Sequence, residues 1–309
     1  MVKSAISWTP VTESFGAEVH VDLNGGLSDL DKAELRKLFN ERHLLLFRNQ
    51  DIDYETQRNT VALFGNLLPS QGDAKYVSTV HDVEGNPVEE ARDIDPRAAM
   101  FHSDLIFMQN LPIQGISLFA EDVSGNTTAP VEGTRFLSAR QAYLELPESA
   151  RTELAGRTAI HLHALGLSVE EQMGLRDLPD EEAKKKVDFW SEHPLFYQTA
   201  TGDTVLLYVP WFTHSIVGAS TEESKKWFEA FDRILYENTQ PYTHRWNQND
   251  LLVWDNLALQ HGKEPTDPDS GPVPTRVLRR AVLGPEAPQI YKAGYSYDAA
   301  KSERVAGQA

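Results

Sequence analysis

Apolar and polar residues alternate with a period of two along much of the chain, which is typical of strands with one face in a core. Short apolar runs bounded by turn residues accompany these stretches. The strands predicted in this way lie at residues 17–23, 44–47, 76–80, 101–107, 114–121, 134–137, 158–164, 196–198, 205–209, 243–246, 251–255 and 275–283. So many short strands favour a β-sandwich or jelly-roll core over a regular βαβ repeat.

Fewer segments carry the helical period, in which apolar residues recur every three to four positions. Ser28 and Asp31 resemble a capping box that begins one helix, and Gly65 ends another. The helix that ends at Gly65 is predicted at 54–64, and further helices are predicted at 138–146, 148–155 and 221–237, with a polar, helical insertion at 167–190. The expected fold class is therefore mainly β with flanking helices.

Composition excludes several classes of function. The 309 residues carry a net charge of −17 with dispersed acidic residues, which argues against nucleic acid or an anionic membrane as a partner. There is no cysteine, which excludes disulfides, thiolate metal sites and cysteine nucleophiles. The sequence has neither an apolar run of about eighteen residues nor a basic leader, so we expect a cytoplasmic protein.

Two side chains able to bind a metal interrupt the apolar run FHSDLIF at residues 101–107. On a strand, side chains two positions apart share a face, so His102 and Asp104 are expected to point the same way. The spacing itself is common, because His20 and Asp22 repeat it. A solvated or hydrogen-bonded surface pair is the alternative interpretation, so this motif needs a third ligand.

A distant histidine offers that ligand. In WDNLALQHG, residues 254–262, His261 follows an apolar strand and is expected at a turn from which its side chain faces inward. Two histidines and one carboxylate form the facial triad that suits Fe(II) and leaves one side of the octahedron open. The sequence therefore predicts one metal ion held by His102, Asp104 and His261.

Arginines recur on the last predicted strand, in TRVLRRAVLG at residues 275–284. Alternation puts Arg276 and Arg280 on one face and Arg279 on the other. Burying such arginines is unfavourable unless an anion compensates them, and a ligand carboxylate would do so through a two-pronged contact. Alternatively, one face is exposed and its arginines pair with surface acids.

These motifs, taken in order, resemble the taurine/2,4-D (TauD/TfdA) family of Fe(II)- and 2-oxoglutarate-dependent dioxygenases. The likeness covers most of the chain and rests on LLLFRNQ, FGNL, FHSD, HPLFYQTATGDTVLLYV, THRWNQNDLLVWDN, QHG and TRVLRRAVLG. It implies a double-stranded β-helix, a jelly-roll or cupin-like core, in a single domain over residues 1–309. Residues from about 285 to 309 are expected to form a loose C-terminal tail.

The resemblance also implies roles for individual residues. His102, Asp104 and His261 correspond to the catalytic iron ligands of the family. Arg276 matches the arginine that pairs with the far carboxylate of 2-oxoglutarate, and Thr134, after Gly133, matches a threonine that binds the same co-substrate. The implied cofactors are therefore Fe(II), 2-oxoglutarate and O2.

Four positions match the substrate side of the family's site. Arg280 matches an arginine that contacts an acidic substrate group or lies beside the co-substrate. Trp211 and Phe212 match a region that lines the pocket, although core packing explains large aromatic side chains equally well. Leu68 stands where a taurine-hydroxylating relative has a histidine that holds the sulfonate. We therefore expect a small anionic substrate, with taurine disfavoured.

The implied reaction oxidises an unactivated C–H bond and decarboxylates 2-oxoglutarate to succinate and CO2. Asp104 favours hydroxylation, desaturation or cyclisation, because halogenating relatives lack this carboxylate. The acidic segment 81–96 is interpreted either as a lid over the pocket or as a connector. The sequence leaves open whether the protein forms a homo-oligomer.

Two other functions stay open at this point. A hydrolase or isomerase would hold zinc or another divalent ion in the same ligands, but it would explain neither Arg276 nor Thr134. A non-catalytic small-molecule binder would keep the scaffold, since fold does not fix function. The intact metal ligands count against this binder.

Overall fold

The computed structural model describes residues 6–68, 75–78, 101–111, 113–123, 133–165, 167–264 and 276–285, with the backbone alone for 75–78 and 276. The chain forms two compact units. The first unit comprises Met1–Phe101, Ile113–Ser138 and Pro241–Pro285, and the second comprises His102–Pro112, Ala139–Gln240 and Glu286–Ala309. The single domain predicted over 1–309 stays a prediction, and the predicted tail lies, beyond Pro285, outside the described residues.

The described elements are numbered in chain order. The strands are β1 Ser7–Pro10, β2 Ala17–His20, β3 Leu44–Phe47, β4 Lys75–Ser78, β5 Gly115–Asp122, β6 Thr134–Ser138, β7 Thr158–His163, β8 Phe189–Pro194, β9 Phe196–Gln198, β10 Thr204–Leu206, β11 Thr213–Ile216, β12 Tyr242–His244, β13 Leu251–Asp255, β14 Leu259–Lys263 and β15 Arg276–Leu283. The α-helices are α1 Asp29–Arg42, α2 Tyr54–Val61, α3 Ala139–Glu145, α4 Glu148–Leu154, α5 Val169–Gly174, α6 Asp180–Lys184 and α7 Thr221–Arg233. A 3₁₀ turn at Leu175–Asp177 follows α5, and a π-helix at Ile234–Asn238 follows α7.

A seven-stranded sheet with the order β1-β2-β3-β13-β5-β15-β4 lies at the centre of the first unit. The central strands β3 and β13 are buried at every position, which is why their sequences are continuous apolar runs. Helices α1 and α2 cover one face of the sheet, where Leu35, Leu38 and Val61 pack against Phe47 and Val253. The apolar stripes of these helices and that sheet face therefore form one core.

A smaller sheet of the first unit has the order β12-β6-β14. Its strands are antiparallel, with Phe136 of β6 opposite both Tyr242 of β12 and His261 of β14. This sheet carries two of the predicted site residues, Thr134 and His261.

The second unit contains the sheet β11-β7-β8 and the hairpin of β9 and β10. Its core includes Tyr208, whose ring contacts Phe228 and Phe231 of α7 at centroid distances of 5.2 and 5.3 Å. The 167–190 insertion supplies α5, the 3₁₀ turn and α6, and packs Leu175 and Ala183 against β7. Within the described residues, none of the helices has the length and apolar character needed to span a bilayer.

Much of the predicted element order is confirmed. The capping box is present, since Ser28 Oγ accepts the backbone N–H of Asp31 at 3.2 Å and the Asp31 carboxylate accepts the N–H of Ser28 at 3.1 Å. The fold class, mainly β with flanking helices, is confirmed as well. The second helix is shorter than predicted, because the chain tightens into turns after Val61.

Two predictions around the metal ligands are wrong. The segment 101–107 is not a strand: His102 forms only an isolated bridge, and residues 104–107 form turns in which Leu105 adopts a left-handed conformation with φ of 57°. His261 lies within β14 and not at a turn. Strands β8 and β11 were not predicted, and β8 begins inside the segment expected to be helical.

Candidate metal centre

His102 and Asp104 lie next to each other on the turn segment. Nε2 of His102 is 3.1 Å from Oδ1 of Asp104, and the two side chains are 25% and 19% exposed. The turn that includes Leu105 begins at Asp104, so it follows the pair in the chain. Both side chains are therefore partly buried directly before a turn.

Aromatic rings line one side of His102. The ring of Trp211 meets the imidazole edge-on, with centroids 5.7 Å apart. Trp211 stacks on Phe212 at 4.0 Å, and Phe212 contacts Phe107 at 4.8 Å. Trp211 is partly exposed whereas Phe212 is buried, so Trp211 offers surface to a ligand and Phe212 supports it from the core. Their role in binding substrate stays a prediction.

In the first unit, His261 projects from β14 directly opposite Phe136 of β6. Residues opposite each other in an antiparallel pair share a face, and so does Thr134, two positions along β6. The ring of Trp254 supports the imidazole of His261, with centroids 5.0 Å apart. His261 and Thr134 are therefore neighbours on one face of the small sheet.

Thr134 is buried at the start of β6, where its Oγ accepts a hydrogen bond from Nε1 of Trp246 at 3.0 Å. An indole N–H only donates, so Thr134 is the acceptor in this pair and keeps its own hydrogen for another partner. The preceding residue has to be glycine, since a Cβ at Gly133 would lie 2.8 Å from Cγ2 of Thr243 and 3.0 Å from the carbonyl oxygen of His244. This crowding explains the Gly133-Thr134 pair.

His102 and Asp104 in the second unit and His261 in the first unit carry side chains able to bind a metal ion. Two imidazole nitrogens and a carboxylate oxygen are the donors of the facial triad in non-haem Fe(II) oxygenases. That these three side chains bind one ion stays a prediction. The equally spaced His20 and Asp22 are both exposed.

The arginines of β15 differ in their surroundings. Arg279 donates from Nε to Gln57 at 2.8 Å, from Nη1 to Glu121 at 3.2 Å and from Nη2 to the carbonyl of Ile52 at 2.9 Å. The protein itself therefore compensates this guanidinium. Alternation along β15 gives Arg280 the opposite face, while the side chain of Arg276 lies outside the described part of the chain.

Leu68 is buried beside the same strand. Its backbone N–H donates to the carbonyl of Val282 at 2.9 Å, which ties the end of the α2 segment to β15. This backbone contact does not show that Leu68 touches substrate, so the place of Leu68 in the substrate pocket stays a prediction.

Sequence reasoning missed three residues that support these side chains. Trp246 bonds Thr134, and Ser191 and His193 of β8 bond the turn segment that carries His102. Ser191 and His193 could have been found from their spacing of two, which places them on one face of a strand. The strand β8 was not predicted because its inward positions are polar and so lack the apolar period.

Comparison with known proteins supplies the family. The family described as "Taurine catabolism dioxygenase TauD, TfdA family" matches residues 7–282. The chain belongs to this family. It is 26% identical over 268 residues to the alpha-ketoglutarate-dependent 2,4-dichlorophenoxyacetate dioxygenase of Cupriavidus pinatubonensis, covering 82% of this chain and 90% of that protein. It is 25% identical over 294 residues to the alpha-ketoglutarate-dependent sulfate ester dioxygenase of Pseudomonas putida, covering 90% of this chain and 89% of that protein.

Solved structures share the fold of this TauD/TfdA family member. The crystal structure of AAD-2 in complex with Mn(II) and N-oxalylglycine matches with a TM-score of 0.68 at 21% identity, covering 91% of this chain and 97% of that one. The structure of a putative alpha-ketoglutarate-dependent taurine dioxygenase from Burkholderia xenovorans also matches with a TM-score of 0.68, at 24% identity, covering 91% of this chain and 95% of that one. The predicted jelly-roll core and the predicted family are confirmed, and the protein is a dioxygenase that uses 2-oxoglutarate (alpha-ketoglutarate) and O2.

Proposed function

We propose that the protein oxidises an unactivated C–H bond of a small anionic molecule, with Fe(II) held by His102, Asp104 and His261. The reaction decarboxylates 2-oxoglutarate to succinate and CO2. The observation that carries the proposal is the His102–Asp104 pair, whose Nε2 and Oδ1 atoms lie 3.1 Å apart, in a chain that matches the dioxygenase family over residues 7–282. Three protein ligands on one side leave the remaining positions for co-substrate and oxygen.

The donor set fits Fe(II). Imidazole and carboxylate suit non-haem iron, and the chain has no cysteine to favour a thiolate site. When bound, Fe(II) supplies the redox chemistry that couples O2 and 2-oxoglutarate to oxidation of the substrate. Nε2 of His102 lies 3.1 Å from Oδ1 of Asp104, and the ring of Trp254 supports the imidazole of His261, so the protein orients these donors.

For the co-substrate we propose an anchor made of Thr134 and Arg276. The free hydrogen of the Thr134 hydroxyl suits a carboxylate acceptor, because Trp246 already occupies the acceptor side of that oxygen. Thr134 also shares a sheet face with His261, within the reach of a small diacid. The assignment of Arg276 rests on its match to the family motif.

For the primary substrate we propose an anion with an apolar body. Relatives are named for 2,4-dichlorophenoxyacetate, for sulfate esters and for (S)-phenoxypropionate, all of which carry a negative charge. Trp211 beside His102 offers an aromatic surface, and Arg280 offers a cation on the face of β15 opposite Arg279. Buried Leu68 offers no polar group for taurine, so an aryloxy acid or a sulfate ester is favoured.

The test is formation of succinate in the presence of Fe(II), 2-oxoglutarate and O2. The substrate panel consists of 2,4-dichlorophenoxyacetate, (S)-phenoxypropionate, a linear alkyl sulfate and taurine. We expect an aryloxy acid or the sulfate ester to raise succinate above the background without substrate, with matching oxidised product, and taurine to have no effect. Asp104→Ala should remove this activity. Substrate-dependent succinate that persists in metal-free protein, or in Asp104→Ala, would contradict the proposal.

A further inference from the structure

Strand β8 holds the turn segment that carries two of the proposed iron ligands. The hydroxyl of Ser191 donates to the carbonyl of Ile106 at 2.8 Å, and Nε2 of His193 lies 2.9 Å from the carbonyl of Met108. Ser191 is 0% and His193 is 5% exposed, whereas Trp190 and Glu192 between and beside them are exposed. The inward face of β8 is therefore polar and is directed at this one segment.

His193 can act only as a donor in this contact. Burial lowers the pKa of His193, so the imidazole is neutral at neutral pH and has one N–H. A carbonyl oxygen accepts hydrogen bonds and never donates, so the nitrogen facing Met108, Nε2, carries the hydrogen. Both contacts are thus hydrogen bonds from fixed, buried donors to backbone carbonyls.

The segment needs such support because its backbone is strained. Leu105, directly after Asp104, has φ of 57°, and Leu111 has φ of 43°. For a residue with a Cβ, this left-handed region costs about 1 kcal/mol or more and persists only where the surroundings impose it. A bond of 3.0 Å from the N–H of Met108 to the carbonyl of Leu105 closes the turn internally. The two donors of β8 attach the same turn to a strand.

We propose that Ser191 and His193 are positioning residues for the iron site. They fix the carbonyls of Ile106 and Met108, and thereby anchor the turn that begins at Asp104, whose carboxylate lies 3.1 Å from His102. This inference rests on the proposed function of the site. Without the donors, the strained turn loses its external restraint, and metal binding has to order the ligands itself.

The experiment is an anaerobic titration of metal-free protein with Fe(II) at saturating 2-oxoglutarate, followed by the visible charge-transfer band. The variants are Ser191→Ala, His193→Leu and the double variant. His193→Gln keeps a donor amide, and Glu192→Gln is the matched control on the exposed side of the same strand. Hydrogen exchange at the amide of Met108, measured without metal, reports on the turn independently.

We expect Ser191→Ala and His193→Leu each to raise the Fe(II) dissociation constant about tenfold, the lower end of the range for lost outer partners of metal ligands. Exchange at Met108 should accelerate in both. His193→Gln should recover much of the affinity, and Glu192→Gln should match wild type. If His193→Leu does not fold, Ser191→Ala and His193→Gln decide the question.

Negative results for the positioning role and for the proposed function can be told apart. Folded Ser191→Ala and His193 variants with wild-type Fe(II) affinity and wild-type exchange at Met108 would overturn the positioning role. A lower melting temperature with unchanged affinity would also overturn it, since this would be a structural effect alone. Absence of the band in wild-type protein loaded with Fe(II) would instead overturn the proposed function.

Discussion

At the residue scale, Trp246 determines how the hydroxyl of Thr134 is oriented. The indole N–H donates to Thr134 Oγ at 3.0 Å in a buried setting, so the hydroxyl hydrogen is directed to a different acceptor. In the proposed site that acceptor is the far carboxylate of 2-oxoglutarate. A side chain that never touches the co-substrate thus contributes to its binding.

Trp246→Phe tests this arrangement. The phenyl ring keeps much of the packing but removes the donor, so the hydroxyl is free to rotate. Loss of one oriented hydrogen bond, about 1 kcal/mol, predicts a roughly fivefold weaker affinity for 2-oxoglutarate with little change for Fe(II). The 2-oxoglutarate dependence of the charge-transfer band measures it, with Trp227→Phe in α7 as the control. If wild type and Trp246→Phe reach half-saturation at the same 2-oxoglutarate concentration, the hydrogen bond from Trp246 to Thr134 plays no part in co-substrate binding.

The two His-x-Asp motifs show what residue spacing can and cannot predict. The side chains of His102 and Asp104 are only 25% and 19% exposed, whereas His20 and Asp22 are exposed on and beyond β2. The two motifs have the same residue types and spacing, and only the first was predicted to share a metal ion with the distant His261. That His102, Asp104 and His261 bind a metal stays a prediction, while the strand predicted at residues 101–107 is wrong because the chain turns from Asp104 onward.

At the scale of elements, strands were predictable where their buried positions are apolar. The strands β3 and β13 are buried at each position and apolar up to the final Asp255 of β13, and their bounds match the prediction. The inward positions of β8 are Ser191 and His193, and those of β11 include Thr213 and His214, so the apolar period is missing. These polar groups are satisfied by contacts distant in sequence, such as the carbonyls of Ile106 and Met108, which a pattern cannot show.

Strand β15 was predicted correctly, and its arginines divide by face. Arg279 is bound by Gln57, Glu121 and the carbonyl of Ile52, so protein groups supply its compensation. The sequence left open whether protein acids or a ligand would do this. For Arg279, protein groups supply the compensation, and the role of Arg280 stays a prediction.

At the scale of the whole molecule, buried histidines make the fold sensitive to acid. Burial, with a smaller contribution from His193, lowers the pKa of His161 to about 3, while the ordinary value is 6.5. Between these values the unfolded chain binds the extra proton, so stability is fully present above pH 6.5 and is lost as the pH falls through the window. From pH 7 to pH 5 this one group lowers the free energy of unfolding by about 2 kcal/mol.

His161→Gln tests the acid sensitivity. The variant should lose less stability than wild type between pH 7 and pH 5, because one proton-linked group has been removed. Urea unfolding at both pH values measures the difference, and His20→Gln, at an exposed histidine, should behave like wild type. The same pH dependence in His161→Gln and wild type would mean that His161 does not resist protonation.

The account as a whole depends on three side chains that bind one ferrous ion. The most direct measurement is an anaerobic Fe(II) titration of metal-free protein with 2-oxoglutarate, comparing wild type with His102→Ala, Asp104→Ala, His261→Ala and the control His20→Ala. We predict one Fe(II) per chain in wild type and in the control, and loss of tight binding in the other three while they stay folded. Wild-type binding in folded His261→Ala, or loss of binding in His20→Ala, would contradict the account.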